Sequence, residues 1–221
     1  MCLPLILGKR PYSSSTLTIS LSKTSNTMTF PFDEEIILEN SFALLRPLQF
    51  SDVDNLLNVA IGDKDLLQFS PMPVYTKELL QQYIDKAVNH RQSKIRYAFS
   101  IFDKTKNAFA GSSSFLNISN VDSRLEIGAT WIGKEFQKTG LNRNCKYLML
   151  NYVFDNLNAD RVEFKTDERN LASKAAIEKI GGQFEGILRS HTVLANGFRR
   201  NTVYYSILKN EWTNLKQRFF S

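Results

Sequence analysis

The sequence has few of the residues that build disulfide networks, metal centres or membrane spans. Two cysteines and two histidines in 221 residues exclude a disulfide-rich scaffold and leave little for a zinc site. No apolar run approaches the ~20 residues of a membrane-spanning helix. The chain is instead 43% hydrophobic, with sixteen phenylalanines, which is enough for the core of one large or two small domains. These counts predict a soluble, cytoplasmic globular protein without a metal and without a membrane partner.

The basic charge is weaker evidence for nucleic-acid binding than it first suggests. The chain carries +6, but Lys9, Arg10 and Lys23 lie in residues 1–27, which contain no acid. Half of the excess therefore belongs to this segment, and the remainder carries only +3. A body with so little excess charge makes a poor electrostatic case for nucleic acid. We expect an ordinary, mildly basic surface and no nucleic-acid partner.

Residues 1–27 differ in composition from the rest of the chain. Serine and threonine crowd residues 13–27, and no amphipathic period is visible. Three interpretations stay open: a disordered extension, a transit peptide, or translation that begins at Met28. We expect an N-terminal extension over residues 1–35, one folded domain over residues 36–212 and a C-terminal tail over residues 213–221.

Strands and helices alternate from Phe42 onward. The expected order is β-α-α-β-β-β-α-β-α-β-β, which predicts an α/β (α+β) fold with a mixed, mostly antiparallel sheet and helices on its faces. The expected strands are 42–46, 97–102, 108–116, 125–131, 161–166, 184–194 and 199–208, and the expected helices start at or after Ser51, Thr76, Gly140 and Asn170. Ala195-Asn196-Gly197 is a strong hairpin signal between the last two strands.

Three local patterns give more detailed expectations. Ser51 and Asp54 are spaced as a capping pair at the start of the first helix. Four residues that alternate in the third central strand are expected on one face, with Glu126 on the other: Leu125, Ile127, Ala129 and Trp131. Cys145 falls on the apolar stripe of the next helix and is expected to fill the core.

A short loop with a glycine at a helix start is the most informative chemical feature. Gln137-Lys138-Thr139-Gly140-Leu141-Asn142 follows a predicted strand and opens a helix. Free backbone N–H groups and the positive end of the helix dipole at such a start suit an anionic pyrophosphate. Lys138 and Arg143 would add positive charge. On its own, this pattern is also typical of a routine connection.

The wider context makes the loop more specific. The segment resembles motif A of the GNAT superfamily of acetyl-CoA-dependent N-acetyltransferases, whose pattern is Gln/Arg-x-x-Gly-x-Gly/Ala. Residues 166–182 (TDERNLASKAAIEKIGG) are similar to motif B. The following residues 184–189 and the Asn196-Gly197 hairpin are similar to the RimJ/RimL-like branch, which acetylates protein amino termini. The resemblance covers roughly residues 36–212.

The resemblance implies a set of site residues. Glu126 and Ser173 would be catalytic, the glutamate as general base, frequently through water, and the serine near the sulfur. Acetyl-CoA would be bound by Ile132, Gln137, Lys138, Thr139, Gly140, Leu141, Asn142, Arg143, Asn170 and Ser173. The chain departs from the family pattern at Asn142, which replaces a small residue, and at Ile177, where many members carry a tyrosine acid.

Several of these residues have an alternative interpretation. Glu126 could instead be a surface carboxylate paired with Arg124 or a lysine, and Asn170 could only cap its helix, with Ser173 facing solvent. Another carboxylate position of the branch falls on Thr192, and the adjacent His191 would be either a substitute base or a hydrogen-bonded structural residue. One tyrosine of the pair Tyr204 and Tyr205 would line the acceptor site, or both would pack in the sheet.

The acceptor is less closely defined than the donor. Residues 33–65 contain eight acids and two bases, which would either attract a cationic amine or form a solvated face. The resemblance implies a protein or peptide N-terminal amine as acceptor. The alternatives are a small-molecule amine such as a polyamine or antibiotic, or a non-catalytic CoA-binding protein on the same fold. We expect a monomer or a homodimer.

Overall fold

A computed structural model describes residues 28–220 of the chain. Within this range, eight strands and five α-helices follow one another in the order that the sequence predicts, with one further strand at the start and one further α-helix at the end. The strands are β1 (Leu38–Glu39), β2 (Ala43–Pro47), β3 (Tyr97–Asp103), β4 (Ala108–Ser119), β5 (Arg124–Ile132), β6 (Arg161–Asp167), β7 (Gln183–Val193) and β8 (Arg199–Leu208). The helices are α1 (Asp52–Ile61), α2 (Lys77–Gln92), α3 (Leu141–Asn151), α4 (Leu171–Glu178) and α5 (Lys209–Phe220). No helix within residues 28–220 is long and apolar enough to cross a membrane.

All eight strands form one sheet in the order β1-β2-β3-β4-β5-β6-β8-β7. Every neighbouring pair is antiparallel except β5 and β6, which run parallel. The parallel pair requires a crossover, and α3 lies in that connection. The mixed, mostly antiparallel α/β fold expected from the sequence is therefore confirmed.

Apolar side chains pack on both faces of the sheet. The larger cluster contains Leu125 and Ile127 of β5 together with Cys145 and Met149 of α3. The smaller cluster contains residues of α1 and α2 together with Trp131. The two clusters place α3 on one face of the central strands and the α1–α2 pair on the other.

A β-bulge in β5 corrects the expected alternation along that strand. Ser112 pairs with Trp131 and Ser114 with Gly128, so Ser113 alone lies opposite Ala129 and Thr130. Ala129 has a φ of 47°, which is in the left-handed region that non-glycine residues seldom adopt. The extra residue reverses the alternation. Trp131 therefore packs against Tyr83 of α2, on the face opposite Leu125 and Ile127.

The folded part extends beyond both limits that the sequence suggested. Residues 28–35, expected to belong to the extension, contribute Met28, Phe30 and Phe32 to the larger core cluster. Residues 213–220, expected to be a tail, belong to α5, whose Trp212 is also in that cluster. The remaining residues 1–27 lie outside the described part. Burial of these aromatic side chains explains why both segments are ordered parts of the domain.

Local signals at the helix ends and turns were right in most places. Thr76 accepts a hydrogen bond from the Leu79 amide and caps α2, and Gly197, with a φ of 81°, turns the β7–β8 hairpin. The expected Ser51–Asp54 capping pair is wrong. Ser51 makes no side-chain cap, and the adjacent buried Asp52 instead ties the helix start to the preceding segment by accepting from the Gln49 amide and from Arg46.

Candidate active site

The parallel strands β5 and β6 separate after only three residue pairs. Their pairing begins at Arg124 with Arg161 and ends at Glu126 with Glu163. Beyond Glu126, β5 continues to Ile132 and β6 to Asp167, so the edge of β5 that faces β6 has no strand partner there. An extended ligand can hydrogen-bond to such an open edge.

Two helix starts border this opening. The loop before α3 follows the carboxyl end of β5, and Asn170, at the start of α4, follows the carboxyl end of β6. Because the two strands are parallel, these ends lie at the same end of the sheet. The folding pattern therefore brings together the two motifs that are 30 residues apart in the sequence.

The loop before α3 has the geometry of an anion site. Lys138 and Gly140 have φ values of 61° and 92°, and backbone that alternates between left- and right-handed conformations turns successive N–H groups inward. The amides of Lys138, Thr139, Gly140, Asn142 and Arg143 donate no hydrogen bond to another residue within the range 28–220. These unpaired N–H groups at the N-terminus of an eleven-residue helix can bind a pyrophosphate.

Side chains of the loop hold its backbone in place. Gln137 donates through Nε2 to the Ile132 carbonyl at 2.9 Å, and Thr139 donates through Oγ1 to the Phe136 carbonyl at 2.8 Å. Leu141 is buried in the larger core cluster. The side chains of Ile132, Gln137, Thr139 and Leu141 thus shape the loop.

The two cations of the loop differ in their surroundings. Arg143 donates to the Phe219 carbonyl at the end of α5 and lies 5.9 Å from the centre of the Phe220 ring. Lys138 is exposed and makes no ion pair within the described range. Lys138 is therefore the cation available to phosphate, while Arg143 connects α3 to α5.

Asn142, which stands where the family pattern has a small residue, brings a polar side chain to the start of α3. Its Oδ1 atom is buried and has no hydrogen-bond partner among the described residues. A buried unpaired acceptor costs free energy unless a ligand or water satisfies it.

Motif B places an asparagine and a serine at the start of α4. Asn170 caps the helix, because its Oδ1 accepts from the Ser173 amide at 3.0 Å. The side-chain nitrogen of Asn170, Nδ2, has no acceptor within residues 28–220 and remains able to donate a hydrogen bond to a ligand. Ser173 is half-buried. Ile177, at the position of the family's tyrosine acid, packs in the core. An isoleucine has no proton to donate, so this position supplies no acid.

Glu126 is a buried carboxylate with one occupied and one open oxygen. Its Oε2 accepts from Asn117 Nδ2 at 2.6 Å and from Lys165 Nζ at 2.9 Å. Its side chain is only 8% exposed, so it is not a surface carboxylate. Oε1 accepts no hydrogen bond from the described residues and lies over Gly128. Glu126 therefore lies where β5 and β6 part, with one oxygen free.

Lys165 is a residue of this site that the sequence did not reveal. It lies on β6, 39 positions from Glu126, and the strand register alone brings the two together. Burial lowers the pKa of the Lys165 ammonium, but the Glu126 carboxylate and its hydrogen bond outweigh burial and hold that pKa above its usual value. Lys165 therefore stays charged beside the Glu126 carboxylate.

The two tyrosines of β8 point to opposite faces. Tyr204 lies beside Lys165, whose Nζ is 4.8 Å from the ring centre, and its ring meets that of His191. Tyr205 is buried in the core and donates to Glu178, and burial raises its pKa to about 12. Tyr204 therefore belongs to the face of Glu126, whereas Tyr205 is structural. His191 bonds to Thr202 and Thr192 through Nδ1, as expected of a structural histidine.

The acidic segment 33–65 is largely neutralised by its neighbours. The carboxylates of Asp33, Glu39, Asp52 and Asp54 each form an ion pair with a lysine or arginine. Four of the eight acids are therefore not free to attract a cationic acceptor, which favours the interpretation of this segment as a solvated face.

Within residues 28–220, no three His, Cys, Asp or Glu side chains are grouped so as to hold a metal. Cys145 is fully buried, which raises its pKa to about 12 and makes it an inert core residue.

Comparisons with known proteins agree with this geometry. Residues 43–183, more than half of the chain, match the family described as "Acetyltransferase (GNAT) domain". The chain is 35% identical over 109 residues to the Bacillus subtilis protein named "Putative ribosomal N-acetyltransferase YdaF", covering 49% of this chain and 58% of that protein. A GCN5-related N-acetyltransferase from Brucella melitensis is 29% identical, with a TM-score of 0.76 over 84% of each chain.

A further solved structure is too dissimilar in sequence to show more than a shared fold. RimL, named a ribosomal L7/L12 alpha-N-protein acetyltransferase, is 23% identical, with a TM-score of 0.69 over 79% of this chain and 94% of that chain. The open edge of β5, the anion loop and the family match lead to one conclusion. The chain belongs to the GNAT family of acetyltransferases.

Proposed function

We propose that this protein transfers the acetyl group of acetyl-CoA directly to a primary amine, and that the acceptor is the N-terminal amine of a protein or peptide. The name of YdaF supports this acceptor class. We place the activity in the cytoplasm, since two cysteines in 221 residues suit a reducing compartment.

The donor would lie along the opening between β5 and β6. Its diphosphate would accept hydrogen bonds from the unpaired amides of residues 138–140, 142 and 143, with Lys138 adding charge. Its pantetheine arm would run along the unpartnered edge of β5 and receive a hydrogen bond from the free amide group of Asn170. The thioester would then lie between Glu126 and Ser173.

The free oxygen of Glu126 is the observation that carries the catalytic proposal. A general base must be ionised and must have an oxygen within reach of the proton that it accepts. Lys165 and Asn117 both bind Oε2, so they orient the carboxylate without occupying Oε1. Glu126 would accept the amine proton through Oε1, directly or through a water molecule.

The transfer step then balances without a metal or a covalent enzyme intermediate. The amine loses a proton to Glu126, and its lone pair forms the new C–N bond with the thioester carbonyl. The carbonyl oxygen carries negative charge until the C–S bond breaks and its electron pair passes to sulfur. Ser173, which is half-buried at the start of α4, would lie close enough to direct a proton to the leaving thiolate.

Labelled acetyl-CoA and three acceptor classes test this function. Peptides with a free amino terminus, polyamines and aminoglycosides would be incubated with the purified full chain, and products analysed by mass spectrometry. We expect label on peptide N-termini and not on N-terminally blocked peptides with the same sequence. Label only on small amines would overturn the acceptor class. Binding of coenzyme A without any thiol release would show a non-catalytic CoA-binding protein.

Two substitutions test the residue roles. Glu126→Gln should depress the rate most at neutral pH, where most of the amine is protonated and needs a base. A flat effect across pH would remove Glu126 as the base. Ser173→Ala should lower turnover more than it weakens coenzyme A binding, and unchanged turnover would remove Ser173 from the mechanism.

A further inference from the structure

Two cations are buried in the described part of the protein, and neither forms an ion pair there. Arg96 is 5% exposed and Lys146 is 7% exposed. Three of the four buried carboxylates among residues 28–220, Asp52, Glu126 and Asp167, each pair with a lysine or arginine, but neither buried cation has a carboxylate partner there. Burial of an unpaired charge is costly and therefore unusual in a protein core.

Both cations lie at the bulge of β5, on opposite faces of the sheet. Lys146 projects from α3 and donates to Thr130 Oγ1 at 2.7 Å. Arg96 lies on the α2 side, where its Nη2 donates to the Tyr83 hydroxyl at 2.5 Å and its Nε to Ser114 Oγ at 2.8 Å. Each cation therefore acts on the bulge through a neutral hydroxyl.

Donation by a cation fixes the direction of the next hydrogen bond. Because Thr130 Oγ1 accepts from Lys146, its own hydrogen is left for Ser113 Oγ at 2.7 Å or for the Gly128 carbonyl at 3.5 Å. The Tyr83 hydroxyl likewise faces the Ala129 carbonyl, a long contact of 3.4 Å. The two hydroxyls thus bring the positive field of the cations to the peptide groups of the bulge. Each also contacts a serine hydroxyl of β4: Ser113 lies 2.7 Å from Thr130, and Ser112 lies 3.4 Å from Tyr83.

The bulge occupies the open edge of β5 two to four residues beyond Glu126. In the proposed function, this is where the thioester carbonyl and the sulfur lie while they carry negative charge. Fixed positive charge in a water-poor site stabilises such charge strongly, because nothing has to reorient during the reaction. We infer that Lys146 and Arg96 are positioning residues that act through Thr130 and Tyr83 to give the β5 bulge the positive potential that stabilises the oxyanion and the departing thiolate.

The groups that face Lys146 agree with an uncompensated charge. Burial lowers the pKa of Lys146 to about 8, and the nearby Cys145 and Glu126 raise it only in part. Glu126 is itself paired with Lys165, which reduces the compensation that it offers to Lys146. The inference rests on the proposed function for the position of the thioester, but its first test requires only coenzyme A.

The first experiment titrates the thiol of bound coenzyme A. Thiolate absorbance would be followed against pH for the wild type, Lys146→Met and Tyr83→Phe, with Lys86→Met as a control that removes an exposed charge from α2. We expect the thiolate fraction of bound coenzyme A below pH 8, where Lys146 is charged, to fall about tenfold, equivalent to one unit of thiol pKa, in Lys146→Met, and to fall less in Tyr83→Phe. It should not change in Lys86→Met. An unchanged thiolate fraction in Lys146→Met would overturn the inference.

The second experiment separates electrostatics from packing. Single-turnover acetyl transfer at saturating acetyl-CoA should slow about tenfold in Lys146→Met, with the dissociation constant of coenzyme A within about twofold of the wild type. Lys146→Arg, which keeps the charge, should recover part of the rate. Slower transfer without a thiol shift would indicate a structural role and overturn the inference. If the wild type shifts the thiol pKa but acetylates no amine, the proposed function fails and the electrostatic inference stands.

Discussion

Glu126 folds over Gly128 two residues further along the same strand, and only a glycine leaves room for it. A Cβ atom at position 128 would lie 2.6 Å from Glu126 Oε1 and 3.0 Å from Leu116 Cδ1. The first distance is shorter than any ordinary contact between these atoms. The glycine therefore allows the open oxygen of the carboxylate to lie over the strand that borders the donor site.

Gly128→Ala should consequently act through Glu126. The new methyl group would displace Oε1, and we expect kcat to fall about tenfold, or about 1.4 kcal/mol of activation free energy, with a smaller change in KM for acetyl-CoA. Steady-state kinetics would measure both constants. Because the two positions are in contact, the effect should be non-additive with Glu126→Gln. An equal tenfold loss when Gly128→Ala is added to the Glu126→Gln variant would show that the methyl group acts elsewhere.

Position 140 also requires a glycine, but because of its backbone conformation rather than a lack of space. Its φ of 92° is in the left-handed region, although a Cβ there would meet nothing within 4 Å. Gly140→Ala therefore imposes about 1–2 kcal/mol of backbone strain that the loop relieves by moving its amides. We expect the dissociation constant of coenzyme A, measured by calorimetry, to rise about tenfold.

Gly197 supplies a matched control for that prediction. It has a φ of 81° and equally open space for a Cβ, but it lies in the β7–β8 turn. Gly197→Ala should lower the melting temperature by about as much as Gly140→Ala does. It should leave the dissociation constant of coenzyme A unchanged. Equal losses of affinity in the two variants would mean that strain in general, rather than the anion loop, weakens binding.

Local chemistry explains which features the sequence could predict. The glycine at position 140, the Thr76 cap and the Asn196-Gly197 turn depend on residues within a few positions of each other. Gly128, an isolated glycine inside the strand pattern, is a signal of the bulge at Ala129, but the regular alternation of apolar residues predicts a strand that continues unbroken through Trp131. The contact of Lys165 with Glu126 depends on the register of two parallel strands, which only the folded sheet determines.

The C-terminal helix, which the sequence did not predict, should be essential to stability. Trp212 stacks on Phe154 with ring centres 5.5 Å apart and donates through Nε1 to Asp155. Trp212→Ala should lower the free energy of unfolding by about 3–5 kcal/mol, measured by urea denaturation. Val121→Ala, at a residue that is 91% exposed, should change it by less than about 0.5 kcal/mol. A similar small effect at Trp212 would restore the view of residues 213–221 as a tail.

Removal of the Lys146 charge should raise the stability of the protein while it slows acetyl transfer. The pKa of its ammonium is about 8 in the folded protein against an ordinary 10.5, so the folded state binds the proton less tightly than the unfolded chain. Below pH 8 both states are protonated, and the folded state bears the full cost of burying the charge. Between about pH 8 and pH 10.5 the unfolded chain binds more protons, and this contribution to stability rises with pH.

Lys146→Met removes that cost with a side chain of similar length. We expect the variant to be more stable than the wild type at pH 7 by at most about 3 kcal/mol, reduced by about 1 kcal/mol for the lost hydrogen bond to Thr130. The difference should shrink as the pH approaches 10, which denaturant titrations at several pH values would measure. A variant that is less stable at pH 7 would mean that an unrecognised partner compensates the charge. A variant that is more stable but slower in acetyl transfer would show that the protein keeps this buried cation for catalysis, against its own stability.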